Sequence, residues 1–416
     1  MTKKLAVLVI LIVILFSGCS IITLMFEKET TPEQSIEHQS SQQVRSNYLI
    51  YYLNDSGLHK LNTKSNEDTL LIPLSIYHYG EETSADKNKI AFSYWDGDFS
   101  KLVVIDVLSS KIWNIMSISG TLKVSLSFKW SLDGSSLGVG VGYPLNNRTA
   151  KCYESDKGGI FVASCDGKQI RKVGCAISKV IKYWLPNGNI VVSDGNNSYV
   201  VNAQNCKVLF SIPIRDKSWI TYSPDGNKMF YFKSTPVEGR MSPVNELYLA
   251  DYNGRNAKVI VDYRYEPRNA DWSPDGQKII CDVESQEWLG IRHFAIYDLV
   301  SNEASLVEYQ ADALGMPSCE KPHWSPDGTR IIYDRTYEHT PAGHQEAKVI
   351  ETLGWPPIQE VSGSAFSEPA GATIGWIDNS NVAYESTDWV KIFNSVKGTT
   401  YTLPPTTHLL FVKEIE

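Results

Sequence analysis

Short apolar runs separated by polar turns recur along most of this chain. They are rich in Val, Ile and Tyr and about four to eight residues long, which is the length and composition of β-strands. Longer stretches with apolar residues about 3.6 positions apart, the signature of amphipathic helices, are missing from the sequence. The pattern therefore predicts an all-β protein.

A phrase of turn-forming residues recurs between these runs. It begins with an aromatic residue, and the strong copies continue with Ser, Pro or Leu, Asp and Gly. Ser suits the first position of a type I turn, Pro presets φ at the second, Asp tolerates the third and Gly closes the fourth. Four strong copies and three weaker ones lie at 130–134, 222–226, 272–276 and 324–328, and at 84–86, 184–188 and 376–380.

The phrase returns roughly every fifty residues, a period typical of arrays and propellers. A strand follows each copy and a second strand comes next, as at 279–281 and 294–298. With a third strand and the one that carries the aromatic residue, each unit has four antiparallel strands, which make one propeller blade. A run of hairpins in a β-sandwich is the alternative, but a sandwich gives no reason for one phrase to repeat at constant spacing.

We therefore predict a β-propeller of four-stranded antiparallel blades over residues 47–416, with eight blades and seven as the alternative. The first unit, which begins at 48–52, lacks a clear innermost strand of its own. The run 409–412 supplies one, so we expect the N- and C-terminal strands to pair and close the ring. Closure removes the exposed sheet edges that invite aggregation. The repeated Trp is expected to pack between neighbouring blades.

The phrase Trp-Ser-Pro-Asp-Gly, followed by a basic residue and Ile as at 272–279 and 324–331, closely resembles the repeat of the TolB propeller family. Similar repeats occur in the propeller halves of prolyl oligopeptidase relatives. The resemblance covers roughly residues 47–416 and implies the fold, whereas propellers host many unrelated roles. The chain has no separate N-terminal α/β domain of the kind found in TolB, which argues against a role in the Tol–Pal system.

The N-terminus has the layout of a secretory signal. Lys3 and Lys4 precede the apolar run 5–16, and Ser17-Gly18-Cys19 follows. The segment resembles a bacterial lipoprotein signal, which implies cleavage before Cys19 and lipidation of its thiol. An uncleaved transmembrane anchor over 5–26 is the alternative. Residues 20–46 then form a flexible tether, since its polar stretch has too little apolar content to fold. We expect the protein at the cell membrane, facing the extracytoplasmic side.

Composition and motifs narrow the possible functions. The formal net charge of -8 disfavours nucleic acid as a partner, because phosphate binding needs a basic face. A peptidase of the prolyl oligopeptidase type would need a Gly-x-Ser-x-Gly elbow, and the sequence has none. Metal-dependent uronate lyases also use a TolB-like ring and hold a metal with clustered His, for which His323, His339 and His344 are the nearest candidates. An ordinary polar His323 and two solvated loop histidines are the alternative, so we expect no metal, no cofactor and no enzymatic activity.

Six of the seven cysteines lie beyond Cys19, an even number that favours disulfides in an exported chain. Propeller topology places the hairpins between second and third strands on one face, and the other turns on the opposite face. This arrangement suggests three disulfides, Cys152–Cys175, Cys165–Cys206 and Cys281–Cys319. Unpaired buried thiols are the alternative.

Three tryptophans fall in predicted hairpins between second and third strands. Trp95, Trp288 and Trp389 should therefore emerge on one face of the ring, although each could instead fold back onto its own blade. Acidic residues flank them, at Asp96, Asp98, Glu284, Glu287 and Asp388. Exposed aromatic residues backed by charge are typical interaction anchors. We predict a monomeric protein-binding or scaffolding module, with a carbohydrate-directed propeller, either a glycan binder or a metal-dependent uronate lyase, as the alternative.

Overall fold

The four-strand repeat folds as a separate antiparallel sheet, and the described part of the chain is built from such sheets. Ser46–Glu416 forms one compact unit. The computed structural model describes residues 47–73, 78–119, 124–142, 158–173, 180–194, 197–205, 207–215, 220–236, 238, 243–285, 290–307, 317–337, 345–351, 359–360, 373–386, 389–396, 399–403 and 408–415.

We number the sheets as blades in chain order and call the strands of each blade a to d, from the innermost strand outward. Strands b to d of blade 1 are β1 (Asn47–Asn54), β2 (Gly57–Asn62) and β3 (Glu67–Pro73). Strands a to d of blades 2 and 3 are β4 (His78–Thr83), β5 (Lys89–Trp95), β6 (Phe99–Asp106), β7 (Ile112–Ser119), β8 (Ser125–Trp130), β9 (Ser136–Gly142), β10 (Gly159–Ser164) and β11 (Ile170–Lys172).

The middle blades follow the same plan. Blade 4 contains β12 (Val180–Trp184), β13 (Asn189–Ser193), β14 (Asn197–Asn202) and β15 (Val208–Arg215). Blade 5 contains β16 (Ile220–Tyr222), β17 (Lys228–Thr235), β18 (Val244–Asp251) and β19 (Lys258–Val261), and a 3-10 turn at Tyr263–Tyr265 leads on to blade 6. Blade 6 contains β20 (Arg268–Trp272), β21 (Lys278–Glu284), β22 (Arg292–Asp298) and β23 (Glu303–Val307).

The last strands complete blades 7, 8 and 1. Blade 7 contains β24 (Pro317–Trp324), β25 (Arg330–Tyr337), β26 (Gln345–Glu351) and β27 (Gln359–Glu360). Blade 8 contains β28 (Thr373–Trp376), β29 (Asn381–Ser386), β30 (Trp389–Asn394) and β31 (Thr399–Thr402). The final strand, β32 (His408–Ile415), returns to blade 1 as its strand a.

The described residues form eight four-stranded antiparallel sheets, one for each blade. Strand a contacts strand a of the next blade in several places, β4 with β8, β8 with β12, β20 with β24 and β24 with β28, which puts the a strands innermost. In blade 1, β32 pairs with β1 from Asn47 opposite Ile415 to Leu53 opposite His408. This sheet therefore joins the two ends of the described chain.

Apolar residues on both faces of each sheet form the cores between blades. Successive side chains of a strand point to opposite faces, so Ile280 packs toward blade 7 while its neighbour Cys281 packs toward blade 5. Clusters of this kind also join blade 1 to blade 2 and to blade 8. Burial on both faces explains why the b strands read as continuous apolar runs instead of alternating ones.

The recurrent phrase forms the turn between strands a and b. In blade 5, Ser223 Oγ donates to Asp225 Oδ1 (2.5 Å) and accepts from Lys228 N (3.0 Å). Gly226 N donates to Ser223 O (2.7 Å), and Gly226 has a φ of 67°, a conformation that favours glycine. The same bonds recur in the turns that begin at Ser84, Ser131, Ser273 and Ser325.

These turns also pack against one another from blade to blade. A Cβ added at Gly276 would lie 3.4 Å from Pro224 Cδ in the preceding turn, and one at Gly328 would lie 3.4 Å from Pro274 Cδ. At Gly226 an added Cβ would overlap the ring of Pro186. Pro and Gly in the phrase thus serve the contact between blades as well as the turn itself.

The aromatic residue of the phrase joins neighbouring blades, as the sequence predicts. Trp130 Nε1 donates to Glu82 O of blade 2 (2.9 Å), and Trp376 Nε1 donates to His323 O of blade 7 (3.1 Å). Trp272 Nε1 makes the same bond to Thr221 O (3.3 Å). Strand a is the inner edge of its blade and leaves backbone groups unpaired, so each indole satisfies one carbonyl of the preceding edge.

The predicted Cys281–Cys319 disulfide is wrong. Both residues are buried and neither forms a disulfide, and the half-buried Cys165 forms none either. Cys281 faces the core between blades 5 and 6, whereas Cys319 faces the core between blades 6 and 7, so the sheet of blade 6 separates them. Cys152, Cys175 and Cys206, the other cysteines of the predicted pairs, lie outside the described residues.

Substituting Gly226 and Gly188 by alanine separates turn packing from backbone strain. Both glycines have positive φ, so each substitution should cost about 1 kcal/mol for the left-handed conformation. Only Gly226→Ala also overlaps a neighbouring turn, which should add about 1–3 kcal/mol, whereas the space around Gly188 is open. Urea unfolding of the two variants measures the difference, and equal losses would contradict turn-to-turn packing.

Candidate functional site

The side chain one position before the aromatic of the phrase, or before Thr83 in blade 2, points from one inner strand to the next. Glu82 Oε1 accepts from Lys129 Nζ of the next blade (2.9 Å). Asp271 Oδ2 accepts from Trp324 N (3.1 Å) and lies 3.4 Å from His323 Nδ1. These carboxylates therefore cover the unpaired inner edge of the following blade. Burial raises the pKa of Glu82, and Lys129 only partly counteracts it.

A denser polar network lies at the other end of the same inner strands, between blades 6 and 7. Asp282 on β21 is fully buried, and Arg292 on β22 is 5% exposed. Arg292 Nε donates to Asp282 Oδ2 (3.2 Å), and Asn269 Nδ2 donates to the same oxygen (3.0 Å). Arg292 also donates to Glu266 O (2.7 Å). The guanidinium thus ties strands b and c to the loop that enters blade 6.

The second carboxylate oxygen of Asp282, Oδ1, accepts no hydrogen bond within the described part of the chain. Burial raises the pKa of Asp282, while the nearby Arg292, Asn269 and Arg268 act in the opposite direction. An incompletely bonded buried carboxylate costs folding free energy, and such groups cluster at functional positions. This makes the blade 6–7 network a candidate site.

Blade 7 repeats the arrangement in a more exposed form. Lys321 Nζ donates to Asp334 Oδ2 (3.0 Å), and the Lys321 side chain is 51% exposed. Asn269 and Lys321 stand three residues before the aromatic of their blades, and both have positive φ, 44° and 52°. Bulges in the pairing of the a strands lie at these positions. The bulge turns each side chain toward the acid of its own b strand.

The hairpin between β5 and β6 presents aromatic residues beside a fixed turn. Trp95 ends β5 and is half-buried, and Phe99 begins β6 with 38% of its surface exposed. Asp96 Oδ1 accepts from Phe99 N (2.8 Å) and from Asp98 N (3.1 Å), and its carboxylate also pairs with Lys101. Lys101 Nζ lies 6.0 Å from the centre of the Phe99 ring. Asp96 therefore rigidifies its own hairpin.

Only part of the predicted tryptophan surface lies within the described residues. Trp389 begins β30 and pairs with Ser386 in the backbone register, so it occupies the hairpin between strands b and c of blade 8. Its side chain and the whole of Trp288, Glu287 and Asp388 lie outside the described residues. Trp95 occupies the equivalent hairpin of blade 2, where it pairs with Ser100. By topology these hairpins share one face of the ring, which we call the hairpin face.

The metal and membrane predictions fall largely outside the described residues. His339, His344 and Cys19 are among the residues not described. Across the described ranges, no group of three or more His, Cys, Asp and Glu residues is arranged to hold a metal ion. Within the same ranges, no helix is long and apolar enough to cross a bilayer. The segment 5–26, considered as an anchor, belongs to the part that is not described.

Sequence reasoning missed the blade 6–7 network. Asp282 and Asp334 both follow the apolar residues of strand b by the same spacing, as Ile-Ile-Cys-Asp and Ile-Ile-Tyr-Asp. An acid at the end of a buried strand needs a partner, and this repeated signal could have shown the site. The partners Arg292 and Asn269 come from other strands, and no local pattern indicates them.

The comparisons with known proteins support the fold but assign the chain to no family. No family model and no curated protein matches this chain. A solved structure of a eukaryotic initiation factor is 10% identical, with a TM-score of 0.56 over 88% of this chain and 98% of that one. The dihydro-haem d1 dehydrogenase NirN is 13% identical, with a TM-score of 0.53 over 89% of this chain and 75% of that one.

Solved structures similar to this chain also include TolB from Acinetobacter baumannii. It is 14% identical, with a TM-score of 0.34 over 74% of this chain and 61% of that one. The two likenesses with TM-scores of 0.56 and 0.53 show the fold alone, and activity does not follow from a fold.

The two equivalent acids allow a matched test of the blade 6–7 network. Asp282→Asn leaves Arg292 buried without a carboxylate, and removing one partner of a buried pair costs about 3–5 kcal/mol. Asp334→Asn leaves Lys321, whose side chain is 51% exposed and can be hydrated, so we expect a smaller loss of about 1 kcal/mol. Urea unfolding at pH 7 measures both losses. Similar values for the two variants would show that the buried network does not contribute as described.

Proposed function

We propose that this chain is an extracytoplasmic, membrane-anchored β-propeller that binds a protein partner through its hairpin face. The observation that carries the proposal is the β5–β6 hairpin, where Trp95 and the exposed Phe99 stand on either side of a fixed turn. Aromatic side chains are the commonest anchors of protein interfaces. Binding, and not catalysis, is the function we infer.

The rigidity of this hairpin supports a binding role. Ordering a loop during association weakens affinity, so a loop already held in one conformation binds better. Asp96 accepts two backbone N–H groups of its own turn, and Asp96 N donates to Phe99 O (3.1 Å). Lys101 is fixed over the Phe99 and Tyr94 rings by its pair with Asp96. Binding through Trp95 and Phe99 therefore costs little additional conformational entropy.

Exposed charged side chains also lie on the hairpin face. Arg268 and Lys321 of the blade 6–7 network have half-exposed side chains there. Aromatic groups and accessible charge therefore occur together on the hairpin face.

The tryptophan hairpins of blades 2 and 8 flank blade 1. The proposed surface accordingly spans blades 8, 1 and 2, with Trp389 contributing from β30. Trp288 of blade 6 remains a further candidate. Attachment through a lipid on Cys19 and the tether 20–46 would keep the protein close to membrane-bound partners. A glycan is the alternative ligand, since aromatic rings also stack on sugars.

Crosslinking in the native membrane, followed by mass spectrometry of the captured proteins, tests the proposal. We expect a reproducible partner that is lost on Trp95→Ala, because removing a central aromatic anchor weakens binding by about 2 kcal/mol or more. Trp113→Ala is the matched control. Trp113 is also half-buried and has a lysine over its ring, Lys111, but it lies on β7, the outermost strand of the same blade.

Two outcomes would contradict the proposal. If no protein is captured by the unaltered chain, a protein-binding role fails and a glycan becomes the leading ligand. If Trp113→Ala reduces capture as much as Trp95→Ala, the loss reflects general destabilisation and the hairpin face is not the binding surface.

A further inference from the structure

A cleft lies beside the sheet in which β1 and β32, the two ends of the described chain, pair with each other. It has a volume of about 350 Å³ and is lined by blades 8, 1 and 2. In blade 1, strand a is β32 and strand b is β1, so the turn that joins strands a and b elsewhere is missing. In blades 5 to 7 that turn packs against the preceding one. The cleft thus occupies the position where a turn is absent.

The lining of the cleft is mostly apolar. Leu410 and Phe411 contribute from β32 and Ala383 from β29, while Trp376 ends β28 and Ile377 follows it. Phe411 and Ala383 are almost fully buried, while Leu410 and Trp376 are partly exposed. A cavity of this size and character suits a small organic ligand, since ligand sites range from about 300 to 1,000 Å³ and are mainly apolar.

One cation belongs to this lining. Lys87, from the turn of blade 2, reaches across the missing turn and donates to Ile377 O of blade 8. An ammonium group has three protons to donate, and Ile377 O is its one hydrogen-bond acceptor among the described residues. Burial lowers the pKa of Lys87, and the nearby carboxylate of Asp378 partly counteracts this shift.

We propose that this cleft binds a small apolar monoanion, a carboxylate or sulfonate with an apolar body. The anionic group accepts hydrogen bonds from the Lys87 ammonium, and the apolar body lies against Leu410, Phe411 and Trp376. Charge complementarity selects the anion, because Lys87 is the only cationic side chain in the described lining. This site is separate from the hairpin face and does not depend on the protein partner proposed above.

Titration of the full-length chain with 8-anilinonaphthalene-1-sulfonate tests the site. This probe is an apolar monoanion whose fluorescence rises in an apolar cleft. We expect saturable binding that decanoate displaces and decyltrimethylammonium does not. Lys87→Met keeps the apolar stem and removes the charge, and it should weaken probe binding about tenfold or more, as for the loss of a charged hydrogen bond.

The matched control is Lys413→Met. Lys413 is half-buried on β32 and donates to Asn88 Oδ1 (2.6 Å), but it is not part of the lining. We expect it to leave probe binding unchanged. Should Lys87→Met fail to fold, Leu410→Trp provides the second test, because it narrows the cleft from a partly exposed position and should also abolish binding.

Several results would overturn the assignment. Binding unaffected by either Lys87→Met or Leu410→Trp in a folded protein would place the probe elsewhere. Displacement by decyltrimethylammonium as strong as by decanoate would show that charge does not select the ligand. No saturable binding by the unaltered chain would exclude an apolar monoanion from the cleft.

Discussion

The unpaired inner edge of each blade is the constraint on which the rest of this fold depends. Strand a pairs with strand b on one side only, and its other backbone groups need partners from elsewhere. The indole N–H of Trp130, Trp272 or Trp376 donates to a backbone carbonyl of the preceding blade. A carboxylate such as that of Asp271 accepts from a backbone N–H of the following blade. Each blade is therefore completed by its neighbours.

The sequence predicted this architecture because one local phrase contains the residues that satisfy the constraint. A turn needs Ser, Asp and Gly within five residues, and the contact between blades needs the adjacent aromatic and Pro, so all of them recur together. The strands follow from short apolar runs that are buried on both faces. The placement of the Trp between blades could be inferred in the same way, because its position relative to the turn never changes.

Contacts between distant strands were not predictable in this way. The Cys281–Cys319 pair fails because neighbouring residues of one strand point to opposite sides of blade 6, and a difference of one position decides the side. From the sequence, the acids beside Trp95 are expected to be exposed charges. In the structure, however, Asp96 accepts a hydrogen bond from Phe99 N within its own hairpin. The Asp282–Arg292 pair depends on register between two strands, and the cleft at Lys87 depends on a turn that is absent.

The most direct test of the account compares Trp130→Phe with Trp324→Phe by urea unfolding. Both tryptophans are almost fully buried at the same position of the phrase. Trp130 Nε1 donates to Glu82 O (2.9 Å), whereas Trp324 Nε1 has no partner among the described residues. If the indole bond holds neighbouring blades together, Trp130→Phe loses about 1 kcal/mol more. Equal losses would show that the aromatic acts through its volume alone.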